Sequence, residues 1–368
     1  MIISIKWQIY NVLSSILQIA KLILESVLCL LLSFQRRSKK WQYGSVPDSI
    51  IIPLMHGLGD AIIFSLCLRE LILIFPETSI TCITTDRTKD ILKNDFSSLC
   101  YLKISSIHQL RKFRNHYDLM IFPARNIDHY LVAFLLNPKF IIGYNYNLKI
   151  LKGESHIQRA VRILKEFKWQ QWQLPFLSAS EDVITQMKKQ IHNYWGDSNK
   201  LNVTLIIGGR WRSKTYKPEY YFKLIYDILS IYKVNILLIG TGDSPKIEYD
   251  NHSKSILNLI NKTNIHELMG IIHLSDLIIG PDGGVLNLAM AMRKRIVGIF
   301  SSVDPGTIVP ESYSDMIIFE KQCPFQPCYN EEHEPFCPFD DPPCIDLEPR
   351  IIFKKIEKQL ELISDEKS

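Results

Sequence analysis

Ser49–Asp60 reads Ser-Ile-Ile-Ile-Pro-Leu-Met-His-Gly-Leu-Gly-Asp, and Ala61–Phe75 behind it carries a helical apolar pattern. An unalternating apolar run that enters a glycine-bounded turn and then a helix reads as a strand covered on both faces of a parallel sheet. The same rhythm continues outward. Further strands are predicted at Ser79–Thr84, Tyr117–Phe122 and Phe140–Gly143, with helices over Asp86–Lys93, Asn126–Leu136 and His156–Phe167. Lys168–Ser180 breaks the pattern and reads as a linker. A second series follows, with strands at Asn202–Ile207, Val234–Ile239, Asp276–Gly280 and Ile296–Phe300 and helices over Pro218–Tyr232, Ile265–His273 and Gly284–Met292. The fold class is therefore α/β, two doubly wound halves whose strand C-terminal ends, where such sheets bind ligands, are expected to face a shared cleft.

The length of 368 residues suits two domains. A hydrophobic share of 46% and a charged share of 22% exclude disordered, collagen-like and disulfide-scaffold chains, and no run of apolar spans suggests a polytopic membrane protein. The net charge of +5 is unevenly placed: Arg36, Arg37, Lys39 and Lys40 cluster near one end, and acidic residues gather between Glu331 and Glu348. No basic stripe is interleaved with aromatics, so nucleic acid is not an expected partner.

Residues 2–34 are mostly apolar, with Ser4, Gln8, Asn11, Ser15, Gln18, Lys21 and Glu25 at steps of three or four. That spacing lays them along one stripe of an amphipathic helix with a wide apolar face opposite. Lys21 and Glu25 interrupt the apolar run, so neither side reaches the roughly 20 residues a bilayer span needs. A signal peptide is not expected, because only Lys6 charges the start and no small-x-small site follows. The favoured reading is a helix lying on an anionic membrane surface beside the basic cluster. Packing on the protein's own body or a second subunit, and a tilted span, are the alternatives.

Three loops at predicted strand ends carry unusual residues. His56-Gly57-Leu58-Gly59-Asp60 sets two glycines before a carboxylate at a helix start, which reads as a ligand-approach loop or as a plain N-cap. Gly208-Gly209-Arg210-Trp211-Arg212-Ser213-Lys214, with Lys217 before Pro218, is a candidate diphosphate cradle or a solvated basic loop. Gly280-Pro281-Asp282-Gly283-Gly284 leads into a helix whose free N–H groups suit a phosphate. No Walker loop or GxGxxG fingerprint is present, which disfavours an NTPase or a dinucleotide oxidoreductase.

In these loops the chain resembles glycosyltransferase family 9, the bacterial lipopolysaccharide heptosyltransferases of GT-B fold. Gly59-Asp60 is similar to the family's first-loop motif, and the resemblance implies that Asp60 is the catalytic base. Ser213-Lys214-Thr215-Tyr216-Lys217-Pro218 is similar to its Lys-x-Trp-Pro segment, with Tyr216 in place of Trp, and implies that Lys214 or Lys217 meets the donor diphosphate. Gly280–Ala289 resembles its Asp-Ser/Thr-Gly-x-x-His-Leu-Ala pattern, with Asn287 where the family has His. Val303-Asp304-Pro305-Gly306-Thr307 resembles its Thr-Asp-Pro segment.

The implied catalytic pair is Asp60 and Lys214. The implied donor-binding residues are Gly208, Gly209, Lys217, Asp282, Gly283, Gly284, Asn287 and Asp304, and His56, Gly57 and Gly59 line the acceptor loop. The organisation is then a helical extension over 1–44, an acceptor domain over 45–172, a donor domain over 173–347 and a C-terminal helix over 348–368. The resemblance implies inverting, metal-independent transfer of heptose from ADP-heptose to a lipid-linked core saccharide, on the inner face of a bacterial cytoplasmic membrane and with no catalytic cofactor. Another nucleotide sugar, a protein acceptor, an epimerase and a non-catalytic nucleotide-sugar-binding assembly subunit are the alternatives, and a homo-oligomer is compatible.

Of the eight cysteines, Cys323, Cys328, Cys337 and Cys344 fall in the Pro-rich loop over 320–346. Their C-x4-C-x8-C-x6-C spacing lacks the usual CxxC knuckles. Structural zinc or iron, reduced packing thiols and disulfides are all open readings.

Overall fold

The computed structural model describes residues 13, 16, 17, 19–32, 41, 44–55, 57–124, 126–144, 146–151, 153–196, 199–209, 211–241, 254–329 and 337–367. The chain divides into two compact units, Met1–Pro175 and Phe176–Ser368.

In the first unit, β1 (Ser49–Leu54), β2 (Ser79–Thr84), β3 (Cys100–Leu102), β4 (Leu119–Phe122) and β5 (Phe140–Gly143) form one sheet in the order β3-β2-β1-β4-β5. Every pairing is parallel, with Ile50 opposite Ile80 on one side and Leu119 on the other. The apolar run of β1 is explained by this central place, since Ile50, Ile51 and Ile52 are all fully buried. Helices α2 (Leu58–Ile74), α3 (Asp86–Leu92) and α4 (Ile127–Leu136) lie between successive strands, and α5 (His156–Lys165) follows β5. Helix α2 starts three residues ahead of its predicted onset at Ala61, because the glycine-bounded turn is itself the first helical turn.

The amphipathic extension forms helix α1, described at residues 13, 16, 17 and 19–32. Among its described residues the side that carries Glu25 turns toward the protein and the wide apolar face turns away from it. Leu28, Cys29 and Leu32 pack on the core that holds Leu110, Tyr117 and Tyr130, and Glu25 on the same side is buried. Leu17, Ile19, Ile23 and Leu30 point outward, more than half exposed. The basic cluster at 36–40 lies outside the described residues. No described helix is long and apolar enough to cross a membrane.

The second unit opens with α6 (Glu181–Trp195) and builds a sheet in the order β11-β10-β9-β6-β7-β8 from β6 (Leu201–Ile206), β7 (Val234–Ile239), β8 (Ile256–Asn258), β9 (Leu277–Pro281), β10 (Ile296–Ile299) and β11 (Ile317–Ile318). All pairings are again parallel. Read from β8 inward the order is 3-2-1-4-5-6 of the dinucleotide-binding type, whose ligand crevice opens where the strand order reverses. Here the reversal falls between β6 and β9. Helices α7 (Pro218–Ile231), α8 (Ile265–Leu274), α9 (Gly284–Ala291) and α10 (Pro349–Lys367) complete the unit. Tyr221, Leu224 and Ile228 of α7 and Ile352, Ile356 and Leu360 of α10 share one buried core with β6 and β7.

Candidate functional site

The first-unit loop follows β1, next to the β1/β4 reversal. Gly57 is the N-cap of α2 and Asp60 its third helical residue. The Gly57 N–H donates to Asp60 Oδ2 at 3.3 Å. A Cβ on Gly57 would stand 2.8 Å from that oxygen, so glycine is what admits the carboxylate. The capping reading and the glycine are thus linked: the turn holds Asp60 in one place while leaving it exposed. Gly59 lies between them in the first turn, and His56 is outside the described residues.

The second-unit loops converge at the β6/β9 reversal. Lys214 ends a short 3₁₀ turn, Arg212–Lys214, after β6, and Asp282 follows β9. Lys214 Nζ lies 2.5 Å from Asp282 Oδ2, with side-chain exposures of 12% and 3%. Gly208 has a φ of +83°, the left-handed conformation that glycine adopts without strain. At Gly209 a Cβ would meet the Lys214 carbonyl oxygen at 2.2 Å, so the loop closes on itself only with glycine there.

Helix α9 starts directly behind Asp282. Gly283 is its N-cap with an extended φ of 168°, and a Cβ on it would find nothing within 4 Å. Gly284 opens the helix, leaving N–H groups of the first turn as a ready anion site. Asn287 is buried one turn in, its amide oxygen without a hydrogen-bond partner among the described residues.

The two lysines that sequence leaves as equals are separated here. Lys217 is held by Asp341 at 2.9 Å and Asp346 at 3.0 Å, which raise its pKa, and Asp346 also accepts from the Tyr220 hydroxyl at 2.8 Å. Lys217 therefore ties α7 to the C-terminal loop, and Lys214 is the lysine beside α9. Asp304 caps the turn Pro305–Thr307, accepting from the Gly306 N–H at 2.9 Å.

A cavity of about 1170 Å³ lies instead on the first unit, along α5 and Lys168–Trp172, and includes Arg162 and Trp169. None of the residues singled out from sequence lines it.

Residues 131–335 match the model of glycosyltransferase family 9 (heptosyltransferase), more than half of the chain. The chain belongs to glycosyltransferase family 9. No curated protein matches it.

Solved structures agree on the architecture of this family 9 chain. The Escherichia coli ADP-heptose lipopolysaccharide heptosyltransferase II is 15% identical, with 87% of this chain and 100% of that one covered at a TM-score of 0.66. A family 9 glycosyltransferase from Veillonella parvula is 13% identical, covering 87% and 99% at 0.68. The dodecameric, iron-containing heptosyltransferase TibC, solved in complex with ADP-D-β-D-heptose, is 12% identical, covering 88% and 78% at 0.58. At these identities the likeness shows the fold, which is of GT-B type.

Sequence reading missed the residues that fix the loop after β6 from a distance. Ser301 Oγ donates to the Ser213 carbonyl, and the Ser213 and Ser302 hydroxyls are 3.2 Å apart. The cysteine loop is joined to the same place, with the Arg212 guanidinium donating to the Asp340 carbonyl at 3.1 Å and the Tyr216 hydroxyl to the Leu347 carbonyl at 2.7 Å. Only a run of cations and hydroxyls in the loop hinted at such ties.

All four loop cysteines are free thiols, not disulfides. Burial first, and then the neighbouring thiols, push Cys344 up to about 12 and Cys328 up to about 11. Four soft sulfur donors suit zinc or iron. Among the described residues, however, no three His, Cys, Asp or Glu side chains are arranged to hold an ion. The thiols as placed do not fit a metal centre.

Proposed function

We propose that this family 9 chain transfers heptose from ADP-heptose to a lipid-linked core saccharide of a lipopolysaccharide or lipooligosaccharide. The observation that carries the reading is Lys214 paired with Asp282 at the β6/β9 reversal, directly before the uncrowded Gly283 start of α9. A half-buried cation beside unpaired helix N–H groups is complementary to a diphosphate.

In the proposed mechanism Asp60 takes the proton of the acceptor hydroxyl, whose oxygen attacks the anomeric carbon. The new C–O bond forms as the bond to the diphosphate breaks, in one displacement with inversion. The negative charge that develops on the departing ADP is stabilised by Lys214 and the amides of Gly283 and Gly284. The diphosphate competes with the Asp282 carboxylate for the Lys214 ammonium, so donor arrival loosens that pair. Two heptosyltransferase neighbours are described with ADP or ADP-heptose, which supports the donor assignment.

The Asp60→Ala variant tests the chemistry. It should lose acceptor-dependent ADP release by a factor of about 100 or more, the usual contribution of a general base, and keep its affinity for ADP. Turnover retained in that variant would remove Asp60 from the mechanism.

The membrane reading is supported by the outward face of α1 together with the Arg36–Lys40 cluster that follows it in sequence. An exposed apolar helix face beside basic residues suits the interface of an anionic bilayer. That placement would bring a lipid-linked acceptor to the enzyme from the inner face of the membrane. A second copy of the chain is the competing cover, and TibC is described as dodecameric.

A further inference from the structure

Lys214 is enclosed by more than Asp282. Its ammonium lies 4.3 Å from the centroid of the Trp211 ring and 5.9 Å from that of Tyr329. The two rings are 5.4 Å apart and tilted by 44°, so they form two walls of a cage whose third side is the Asp282 carboxylate. Trp211 comes from the donor loop itself, whereas Tyr329 comes from the cysteine loop. The N–H groups of Cys328 and Tyr329 both donate to the Ser302 carbonyl at 3.0 Å, fixing Tyr329 to the loop that follows β10. The Trp211 indole N–H is buried with no hydrogen-bond partner among the described residues. Buried donors are normally paired, so the ring holds its place against the ammonium although a hydrogen bond is left unmade.

We propose that Trp211 and Tyr329 are positioning residues for the donor, holding the Lys214 ammonium where the diphosphate of a nucleoside diphosphate meets it. A ring face attracts a cation without accepting its N–H groups one by one. The lysine is therefore fixed while its donors stay available to phosphate oxygens once Asp282 is displaced. A flexible lysine would lose rotamer freedom when the donor binds, and a caged one has already lost it. The cysteine loop thereby becomes part of the donor site through Tyr329. The inference rests on Lys214 being the diphosphate lysine.

The test is calorimetric titration of ADP into the full chain and into Trp211→Leu, Trp211→Phe, Tyr329→Leu and Tyr329→Phe, with thermal unfolding of each unliganded protein alongside. Leucine keeps an apolar side chain but removes the ring face. The leucine variants should bind ADP about 3- to 30-fold more weakly, the range expected for a desolvated cation–ring contact. The phenylalanine variants should stay within about twofold of wild type, since they keep a face over the ammonium. In turnover, the leucine variants should raise the donor KM and also lower kcat, because a displaced Lys214 no longer meets the charge that develops on the leaving diphosphate.

Leucine variants that fold and bind ADP as wild type does would overturn the proposal, as would phenylalanine variants that lose as much as leucine. If Trp211→Leu does not fold, Tyr329→Leu decides, because its ring is supplied by a separate loop. Wild-type protein that binds neither ADP nor UDP would overturn the donor reading itself, an outcome visible before any variant is measured.

Discussion

Gly209, in the loop after β6, and Gly283, in the loop after β9, are glycines for different reasons. A methyl at Gly209 meets the Lys214 carbonyl oxygen at 2.2 Å, whereas one at Gly283 meets nothing and its extended backbone suits any residue. Gly209→Ala should therefore cost about 1–3 kcal/mol of stability, the usual price of overpacking, and should weaken ADP binding with it. Gly283→Ala should unfold at the wild-type temperature yet bind ADP less well, because the added methyl fills the space assigned to phosphate. Unchanged ADP affinity in Gly283→Ala would place the diphosphate elsewhere. Sequence brings both glycines and both lysines into view, but Lys214 and Lys217 are equivalent cations three positions apart. What separates them is Asp282 on one side and Asp341 with Asp346 on the other, partners that only the folded chain brings near.

Among the elements, the long central strands and the helices between them are legible because their apolar patterns are continuous. The edge strands β3, β8 and β11 are not, since two or three residues carry no periodicity to read. In α1 the helical period is legible, but the burial of Glu25 is not, because the period alone does not say which side meets the protein.

The tie between α7 and the C-terminal loop has a pH signature. The Tyr220 hydroxyl first, and then Lys217, hold the Asp346 carboxyl below its ordinary pKa. A carboxylate whose folded pKa is lowered contributes stability that is fully present above its unfolded pKa of about 3.9 and is lost as pH falls through the folded value. Asp346→Asn should thus unfold at a lower temperature than wild type at pH 7, with the gap closing as pH drops below about 4. A gap that persists unchanged into acid would mean that the charge of Asp346 contributes nothing. The thiols of the same loop give a second readout. Buried Cys344, with its pKa near 12, should resist alkylation at pH 7.5 in the folded protein, while exposed Cys100 reacts first. Rapid native labelling of Cys344 would show that the loop opens.

For the whole molecule, two parallel sheets in the orders β3-β2-β1-β4-β5 and β11-β10-β9-β6-β7-β8 place the three glycine-bounded loops, after β1, β6 and β9, beside a strand reversal. The loops were recognisable from their glycines and charges, but the reversal next to each depends on strand order, which no local pattern encodes. The outward face of α1 belongs to this scale as well. Replacing Ile16, Ile23 and Leu30, each more than half exposed, by Glu should abolish co-sedimentation with phosphatidylglycerol vesicles while leaving Leu32 and the core beneath it untouched. Undiminished vesicle binding in that variant, or a wild-type protein that ignores vesicles and self-associates, would assign the face to something other than lipid.

ADP release reads out both the identity of the donor and the transfer to acceptor. Purified protein is incubated with ADP-heptose or a panel of UDP-sugars, with and without a heptose-deficient lipopolysaccharide acceptor. ADP release is expected from ADP-heptose only when acceptor is present, absent in Asp60→Ala and reduced in Lys214→Ala through a raised donor KM and a lowered kcat. Release from a UDP-sugar in its place, or no release from any donor by a protein that binds ADP, would rule out the proposed transfer.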